Sequence, residues 1–298
     1  MDALVAQDPA RLVVVDDLYL GQRANLEQAE GRCAQLRFHQ QDASDAEAMR
    51  QILAENQVEV VFNLAVIPLP ASLSDPKGAT DVNVLITTTL CELAREGCFQ
   101  TLVHFSSSEA FGTARTLPMA EDHPLDPLTP YAASKAAGDH IVLSYVHTFG
   151  IDAAIVRPFN NYGPRQNDKA YAGVIPILIR GVMAGEPLEI FGDGEQTRDF
   201  LFVADTAGAA IDVYACAEAR GRIVNIASGF ELSVNQLVLA LLRVMKAEDH
   251  PVVHGPERPA DVRRHCGDIS VARKLLDFQP SVDLEEGLRL TVDWYLRN

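Results

Sequence analysis

Apolar runs of strand length alternate with stretches of helical periodicity through the first half of the chain. Continuous β-branched runs bounded by turn residues are typical of strands buried on both faces, and apolar residues three or four apart are typical of the covering helices. The predicted strands are 11–17, 36–42, 58–65, 100–108, 152–160 and 221–228, and the predicted helices are 45–56, 81–97 and 131–149. The pattern predicts an α/β fold: a doubly wound, Rossmann-like parallel sheet whose ligands lie at the carboxyl ends of the strands.

From about residue 165 the alternation loosens, and Gly, Pro and Arg become frequent. This change predicts a smaller C-terminal lobe, interleaved with the returning strand 221–228. We therefore predict a first domain made of 1–164 with 201–228, and a second lobe made of 165–200 with 229–298.

Composition and charge narrow the function classes. The net charge of −16 repels phosphate backbones, so a nucleic-acid partner is not expected. A hydrophobic content of 48% is typical of a soluble globular enzyme, and no apolar run approaches the ~18 residues that span a bilayer. The five cysteines are scattered, without CxxC or HExxH, so no metal site is expected and a reducing cytoplasm is the predicted location.

Two acidic residues stand where consecutive predicted strands end. Asp16 closes the first strand, where a carboxylate can accept both hydroxyls of an adenosine ribose and would repel a 2′-phosphate. Asp42 ends the next strand and could receive the adenine amino group. A single acid at a strand end is more often a turn or helix cap, but the pair favours a cofactor edge and NAD rather than NADP.

The segment "PYAASK" places Tyr131 and Lys135 on one face of a predicted helix, because residues i and i+4 lie one turn apart. A free tyrosine has a pKa of about 10, and a neighbouring ammonium favours the phenolate, which can then act as a base. The preceding strand ends in "SSSEAFG", which offers a hydroxyl to the same substrate oxygen. We therefore expect proton abstraction from a substrate hydroxyl.

Eight motifs occur in one order along the chain: "VVVDDL", "NLA", "SSSEAFG", "PYAASK", "RPFNNYGPRQ", "GDGEQTRDF", "NIASG" and "RPADVRR…DISVARKLL". In these motifs the chain resembles the extended short-chain dehydrogenase/reductase family, specifically its NAD-dependent nucleotide-sugar epimerases and dehydratases. The resemblance implies NAD as the cofactor, a nucleotide-diphosphate sugar as the substrate, and a second lobe that binds this substrate.

The resemblance also implies residue roles. Tyr131 corresponds to the catalytic base, Lys135 to the residue that tunes it and binds the nicotinamide ribose, and Ser107 to the Ser/Thr that holds the reacting oxygen. The implied cofactor contacts are Asp16, Asp42, Leu64, Ala65, Asn83, Tyr131 and Lys135. The implied contacts to the substrate diphosphate are Asn160, Arg198 and Arg258, and guanidinium forks suit phosphate oxygens.

The choice among reactions depends on the two positions after Ser107. In 4,6-dehydratases of the family these are usually Asp-Glu, the acid and base of water loss, whereas here they are Ser108 and Glu109. Glu109 fits a base that takes the C5 proton of a 4-keto sugar, so 4,6-dehydration is the leading hypothesis. A 4-epimerase, to which "AYAGVIP" is similar, and a uronate decarboxylase remain alternatives. The non-enzymatic alternative is a protein that still binds a sugar nucleotide but has lost its cofactor loop and its activity.

The family opens with a strand and a GxxGxxG turn that cradles the cofactor diphosphate. In this sequence "MDALVAQDPA" precedes the strand at 11–17 and is similar to the end of the first helix. The expectation is therefore a sheet without its first strand, a truncated start, and weakened retention of NAD.

A homodimer is also expected. In the family the helices that correspond to 81–97 and 131–149 pair with their copies, and here both carry apolar residues beyond one stripe: Leu85, Leu90, Ile141, Leu143 and Val146. The alternative is that these residues simply face the sheet.

Overall fold

The structure is a computed structural model that describes residues 1–169, 172–258 and 261–297. The chain separates into two compact units. Unit 1 comprises Met1–Ser107, Thr129–Arg157 and Ala207–Val224, and unit 2 comprises Ser108–Leu128, Pro158–Thr206 and Asn225–Asn298. Ala170 and Tyr171 of the motif "AYAGVIP", and Pro259 and Ala260 of the motif "RPADVRR", lie outside the described residues.

The secondary structure follows the predicted alternation. The strands are β1 (Leu12–Asp16), β2 (Leu36–Gln40), β3 (Val60–Asn63), β4 (Thr101–Phe105), β5 (Asp152–Pro158), β6 (Asn160–Tyr162), β7 (Leu188–Phe191), β8 (Thr197–Arg198), β9 (Phe200–Phe202), β10 (Ile223–Ile226), β11 (Leu232–Ser233) and β12 (Val252–Gly255). The helices are α1 (Asp2–Val5), α2 (Glu27–Glu30), α3 (Ala46–Asn56), α4 (Leu69–Ser74), α5 (Pro76–Arg95), α6 (Pro130–Phe149), α7 (Val174–Ala184), α8 (Val203–Ala215), α9 (Val234–Met245), α10 (Ser270–Leu276) and α11 (Leu284–Arg297).

Unit 1 is built on parallel strands. β1 and β2 pair with Asp16 opposite Gln40, and a second sheet has the order β10-β5-β4-β3. The β4–β5 centre of this second sheet is apolar and fully buried, with Leu102, Val103 and Ile155 at 0% exposure. Among the strands that the structure describes, those of the β1–β2 sheet are not hydrogen-bonded to those of the second sheet. The predicted α/β fold with a parallel sheet is confirmed.

Helices α5 and α6 are fixed at their starts by side-chain caps. The Asp75 carboxylate accepts the Gly78 N–H at 2.9 Å before α5, and the Thr129 hydroxyl accepts the Ala132 N–H at 3.2 Å before α6. A proline follows each cap at the first helical position, where its missing N–H is harmless. The cap of α6 therefore places Tyr131 in the first turn of the helix.

The apolar residues of α5 and α6 that were expected to contact a second copy lie partly in the core and partly at the surface. Leu90 is 2% exposed and belongs to the core with Leu102 and Val142, whereas Leu85 is 50% exposed. The three residues of α6 that the sequence singled out, Ile141, Leu143 and Val146, are half-buried and pack against the same core. Part of the predicted dimer seam is therefore already covered within unit 1.

Unit 2 has its own core between α7, α9 and α11, with Ile179, Leu241 and Leu288 fully buried. A second, smaller cluster is formed by Phe111, Met119, Phe159, Ala227 and Ile269. This cluster explains why 108–128 and 158–164, which the sequence assigned to the first domain, fall in unit 2: their apolar residues are buried against partners that are distant in sequence.

Within the described ranges, no helix is both long enough and apolar enough to cross a membrane, and no group of three or more His, Cys, Asp or Glu residues is arranged to hold a metal ion. All five cysteines are free thiols, and Cys91 is completely buried in the core of unit 1.

Candidate active site

Unit 1 brings the predicted base and its partner lysine to the end of β4. Tyr131 and Lys135 are one turn apart on α6, and Tyr131 is half-buried whereas Lys135 is 6% exposed. The Lys135 Nζ donates a hydrogen bond to the carbonyl oxygen of Phe105, the last residue of β4. The ammonium of Lys135 is thus bonded to the backbone at Phe105, two residues before Ser107. Ser107 is 9% exposed.

The charge state of Lys135 reflects its burial. Burial lowers the pKa of Lys135 to about 8, and the negative charge of Asp139 opposes this shift. Burial also lowers the pKa of His104, in β4, well below its usual value, and the charge of Lys135 adds to that effect. At neutral pH a pKa of about 8 leaves Lys135 mainly in the ammonium form, and a neighbouring ammonium favours the phenolate that a tyrosine base requires.

A second link joins α6 to β4 beside the first. The Ser106 hydroxyl donates to the Asp139 carboxylate at 2.7 Å, and Arg157 of β5 donates to the same carboxylate oxygen at 2.8 Å. Arg157 and Asp139 are 0% and 1% exposed. The bonds of Lys135 and Asp139 therefore fix the helix that carries Tyr131 against the strand end that carries Ser107.

The two acids of the predicted cofactor edge lie at the carboxyl ends of paired strands. Asp16 ends β1 and is half-buried, and Asp42 lies two residues beyond β2 and is exposed. Each also caps a turn, Asp16 accepting the Leu18 N–H at 2.7 Å and Asp42 the Ser44 N–H at 2.8 Å. Both acids therefore cap turns, which was the alternative considered for them from the sequence. Both carboxylates also lie at the same edge of the β1–β2 sheet.

The other predicted cofactor contacts follow β3. Leu64 is 57% exposed and Ala65 is also exposed, so apolar surface lies open at the carboxyl end of this strand. Asn83 is 5% exposed and is engaged within the protein: its carbonyl oxygen accepts the Ile67 N–H at 2.7 Å, and its amide donates to the Ser134 hydroxyl at 3.0 Å. In the described structure Asn83 ties the segment after β3 to α6, next to Lys135.

In unit 2, Ser108 and Glu109 begin a single 3₁₀ turn, Ser108–Phe111. Ser108 is buried, and its carbonyl oxygen lies 3.1 Å from Nε2 of the fully buried His265. Burial raises the pKa of the Glu109 carboxyl; the charge of Arg198 lowers it and that of Asp261 raises it. A raised carboxyl pKa is what a general base working near neutral pH needs.

Of the two predicted phosphate-binding arginines, Arg198 is bonded to Asp261 and Arg258 lies over an aromatic ring. Arg198 donates to the Asp261 carboxylate at 2.5 Å and to the Val262 carbonyl oxygen at 2.6 Å, and its side chain is only 13% exposed. The Arg258 guanidinium lies over the Phe191 ring at 4.0 Å from its centre. Arg258 and Asp261 both line a cavity of about 100 Å³. Arg198 is therefore not in a solvent-exposed surface ion pair, although it does pair with an acid.

Asn160, the third predicted diphosphate contact, is the first residue of β6. Its backbone N–H donates to the Asp199 carbonyl oxygen at 3.0 Å. The side-chain Nδ2 of Asn160 is buried and has no hydrogen-bond partner among the described residues. A buried amide donor without a partner is costly, so it suits a site that a ligand oxygen completes.

Sequence reasoning missed several residues that support these groups. Asp139, Arg157 and Ser106 form the buried network beside Lys135, and His265 contacts the backbone of Ser108. One signal was available, since Asp139 follows Lys135 by four residues and must lie on the same helix face. The positions of Arg157 and His265 could not be read from spacing, because their partners are distant in sequence.

A family model described as GDP-mannose 4,6 dehydratase matches residues 1–291. The UDP-glucose 4-epimerase of Mycolicibacterium smegmatis is 37% identical over 297 residues, which cover 99% of this chain and 93% of that protein. The dTDP-glucose 4,6-dehydratase of Xanthomonas campestris pv. campestris strain B100 is 33% identical over 310 residues, which cover 97% of this chain and 87% of that protein.

Solved structures agree with the fold. The dTDP-glucose 4,6-dehydratase from Streptomyces venezuelae, solved with NAD bound, has a TM-score of 0.92 at 31% identity, with 100% of this chain and 91% of that chain covered. The UDP-glucose 4-epimerase from Thermotoga maritima, solved with UDP-glucose, has a TM-score of 0.91 at 28% identity, with 99% and 95% covered. The similarity thus extends over the whole of both units.

Proposed function

This chain belongs to the GDP-mannose 4,6 dehydratase family, and on that premise we propose that it is an NAD-dependent nucleotide-sugar 4,6-dehydratase. The observation that carries the proposal is the buried Lys135, one turn from Tyr131 and hydrogen-bonded to the end of β4 two residues before Ser107. The presence of Glu109 in the 3₁₀ turn that follows supports dehydration among the reactions of the family.

NAD is the proposed cofactor, as in the Streptomyces venezuelae dehydratase solved with NAD. The residues that would hold it are Asp16 and Asp42 at the strand edge, Leu64 and Ala65 after β3, and Lys135. Half-buried and exposed carboxylates suit ribose hydroxyls and an adenine amino group, and they disfavour the extra phosphate of NADP. When bound, NAD would accept the hydride from C4 of the sugar and, after water loss, return it to C6, so that the cofactor is unchanged overall.

In the first step of the proposed reaction, Tyr131 removes the proton of the sugar O4 hydroxyl as C4 is oxidised. Lys135 stabilises the phenolate by its positive charge, and Ser107 donates a hydrogen bond to the reacting oxygen. The result is a 4-keto sugar whose C5 proton has become acidic, because the neighbouring carbonyl stabilises the carbanion that its removal leaves.

In the second step, Glu109 takes the C5 proton and water leaves from C6. A buried carboxyl with a raised pKa supports this role, since it accepts a proton more readily than an ordinary glutamate. Ser108, in the place of the usual aspartic acid, orients the leaving hydroxyl and is a weaker acid. Arg198, Arg258 and Asn160 are the proposed contacts of the substrate diphosphate.

A 4-epimerase is the second candidate, and one observation favours it. The Mycolicibacterium smegmatis UDP-glucose 4-epimerase is 37% identical to this chain, against 33% for the Xanthomonas campestris dehydratase. Epimerisation needs Tyr131, Lys135 and Ser107 but has no use for Glu109 as a base.

Mass spectrometry of products from a panel of UDP-, dTDP- and GDP-sugars tests the proposal. Loss of the mass of one water from at least one hexose is the expected result. An unchanged mass with inverted configuration at C4 would replace the dehydratase with the epimerase. Loss of carbon dioxide from a uronate would replace it with a decarboxylase, and binding of a sugar nucleotide without turnover would indicate the non-enzymatic alternative.

Replacement of Glu109 by glutamine is predicted to lower water loss by about 10²–10⁴-fold, because the C5 proton loses its base. Oxidation at C4 depends on Tyr131 and continues, so the 4-keto sugar accumulates. Deuterated borohydride reduces the 4-keto sugar to a deuterium-labelled sugar, and mass spectrometry then measures its amount. The matched control is Glu285→Gln, an exposed residue of unit 2 that should leave both steps unchanged. Equal turnover of E109Q and the unaltered chain would refute dehydration.

We also infer a homodimer that pairs the exposed faces of α5 and α6. Leu85 is 50% exposed and Phe149 is 55% exposed, which supports an apolar contact for a second copy. Light scattering is expected to give twice the chain mass of 32.5 kDa, and Leu85→Glu is expected to give that mass itself. A monomer for the unaltered chain would contradict this inference.

A further inference from the structure

A buried carboxylate lies one helical turn beyond Lys135. Asp139 is 1% exposed, and Tyr131, Lys135 and Asp139 are spaced i, i+4, i+8 along α6. Residues at this spacing share one face of a helix and are nearest neighbours along it. The predicted base, its lysine and this carboxylate therefore form one row.

The Asp139 carboxylate is held by two neighbouring strands. Its Oδ2 accepts from the Ser106 hydroxyl of the segment after β4 and from the Arg157 guanidinium of β5, at 2.7 and 2.8 Å. Its Oδ1 is buried and has no hydrogen-bond partner among the described residues. In the bidentate arrangement that carboxylates frequently form with a guanidinium, both oxygens accept hydrogen bonds, whereas here Oδ2 accepts both bonds.

We propose that Asp139 is a positioning residue for Tyr131, acting through Lys135: its buried negative charge keeps Lys135 in the ammonium form, and Ser106 and Arg157 hold it in place for this. The role of Lys135 toward Tyr131 rests on the proposed function. The electrostatic coupling between Asp139 and Lys135 does not.

Other groups near Lys135 do not supply that negative charge. β4 contributes His104, which burial keeps neutral, and β5 contributes the cation Arg157. α5 contributes the uncharged Asn83, bonded to Ser134, and α4 has no ionisable side chain in its sequence, LPASLS. On α6, Tyr131 is the proposed base on which Lys135 acts, so it is not the source of this charge. Asp139 is the acid whose charge opposes the effect of burial on Lys135.

The physical reason is the cost of a buried ammonium. Removal of Lys135 from water favours its neutral form, and a neutral amine stabilises no phenolate. An opposite charge at the distance of one helical turn moves a pKa by about one unit or more toward the charged form. Without Asp139, Lys135 would therefore lose its proton at a lower pH, and the pKa of Tyr131 would rise.

Nuclear magnetic resonance of protein labelled with carbon-13 at the lysine ε position measures this directly. The chain has only five lysines, so the Lys135 signal is identified by its absence in Lys135→Met. The unaltered chain is expected to titrate near the pKa of about 8 given by burial and Asp139. Asp139→Asn keeps the shape but removes the charge, and it is expected to lower this midpoint by about one unit or more.

The matched control is Ser106→Ala, which removes a hydrogen bond to Asp139 and leaves the carboxylate charge. The control should move the Lys135 midpoint by less than half the shift of D139N. An unchanged midpoint in D139N, or an equal shift in both variants, would overturn the proposal and leave Asp139 as a structural ion-pair partner.

If D139N does not fold because the carboxylate that pairs with Arg157 is lost, the double variant Asp139→Asn with Arg157→Gln removes both buried charges. It is expected to lower the midpoint by less than D139N does, because loss of the Asp139 charge lowers the pKa of Lys135 whereas loss of the Arg157 cation acts in the opposite direction. No sugar or NAD is needed for the titration, so its outcome is independent of the turnover panel. With an active substrate, the alkaline limb of kcat in D139N should shift to lower pH by the same amount.

Discussion

Replacement of Tyr131 by phenylalanine is expected to lower turnover of the sugar nucleotide by about 10²–10⁴-fold, the usual contribution of a positioned acid–base group. Phenylalanine keeps the ring, which is half-buried in the first turn of α6, and removes only the hydroxyl that exchanges the proton with O4. The substrate diphosphate contacts are untouched, so KM should change little. Steady-state kinetics on the substrate found by mass spectrometry measures both constants.

The matched control lies on the same helix. Tyr145 bonds through its hydroxyl to Glu92 of α5, and Tyr145→Phe should leave kcat within about two- to three-fold, since this partly buried bond involves none of the proposed reacting groups. NAD content after denaturation checks that both variants hold equal cofactor. A Y131F enzyme with normal kcat and an intact fold would remove the central group of the proposed mechanism.

Replacement of Asp199 by alanine is expected to lower the free energy of unfolding of unit 2 by about 3 kcal/mol or more. Asp199 is 0% exposed and accepts the backbone N–H groups of Ser228, Gly229 and Gly267, at 2.7, 2.9 and 3.1 Å. Each buried donor that loses its acceptor costs about 1–3 kcal/mol. These bonds join three segments that are distant in sequence, so no local structure replaces them.

Urea unfolding followed by tryptophan fluorescence measures the loss, because the single tryptophan, Trp294, lies in α11 of unit 2. Asp193→Ala is the control. Asp193 pairs with Arg263 at the surface, where both side chains are more than half exposed, so its removal should cost at most about 1 kcal/mol. If both substitutions lowered the free energy of unfolding equally, the buried hydrogen bonds of Asp199 would contribute no more to stability than a surface ion pair.

The regular elements of unit 1 were predictable because their signals are local. Strand 11–17 contains β1, strand 36–42 contains β2, and helix 45–56 contains α3. Helix 81–97 was predicted to begin five residues after the observed start of α5 at Pro76. Its first turn, PKGAT, is polar and has no apolar period, although Asp75 before proline is a recognisable cap.

For the site, the sequence predicted residue types at strand ends and at helical spacing. The i, i+4 pair Tyr131–Lys135 and the acids after β1 and β2 lie where that reasoning placed them. Their roles toward cofactor and substrate stay predictions until the variants are measured. The resemblance implied Arg198 as a diphosphate contact, and in the structure its side chain is only 13% exposed and is bonded to Asp261.

The sequence by itself determined the fold class and the family, and it predicted Tyr131 and Lys135 as the tyrosine base and its lysine, because periodicity and motif spacing are properties of neighbouring positions. Only the tertiary structure decided that 108–128 belongs to unit 2 and that Arg157 reaches Asp139 beside Lys135. The physical reason is that burial and electrostatic coupling depend on which distant segments pack together. The charge of Lys135 therefore depends on its burial and on an opposing carboxylate of its own helix, Asp139, which Ser106 and Arg157 hold in place.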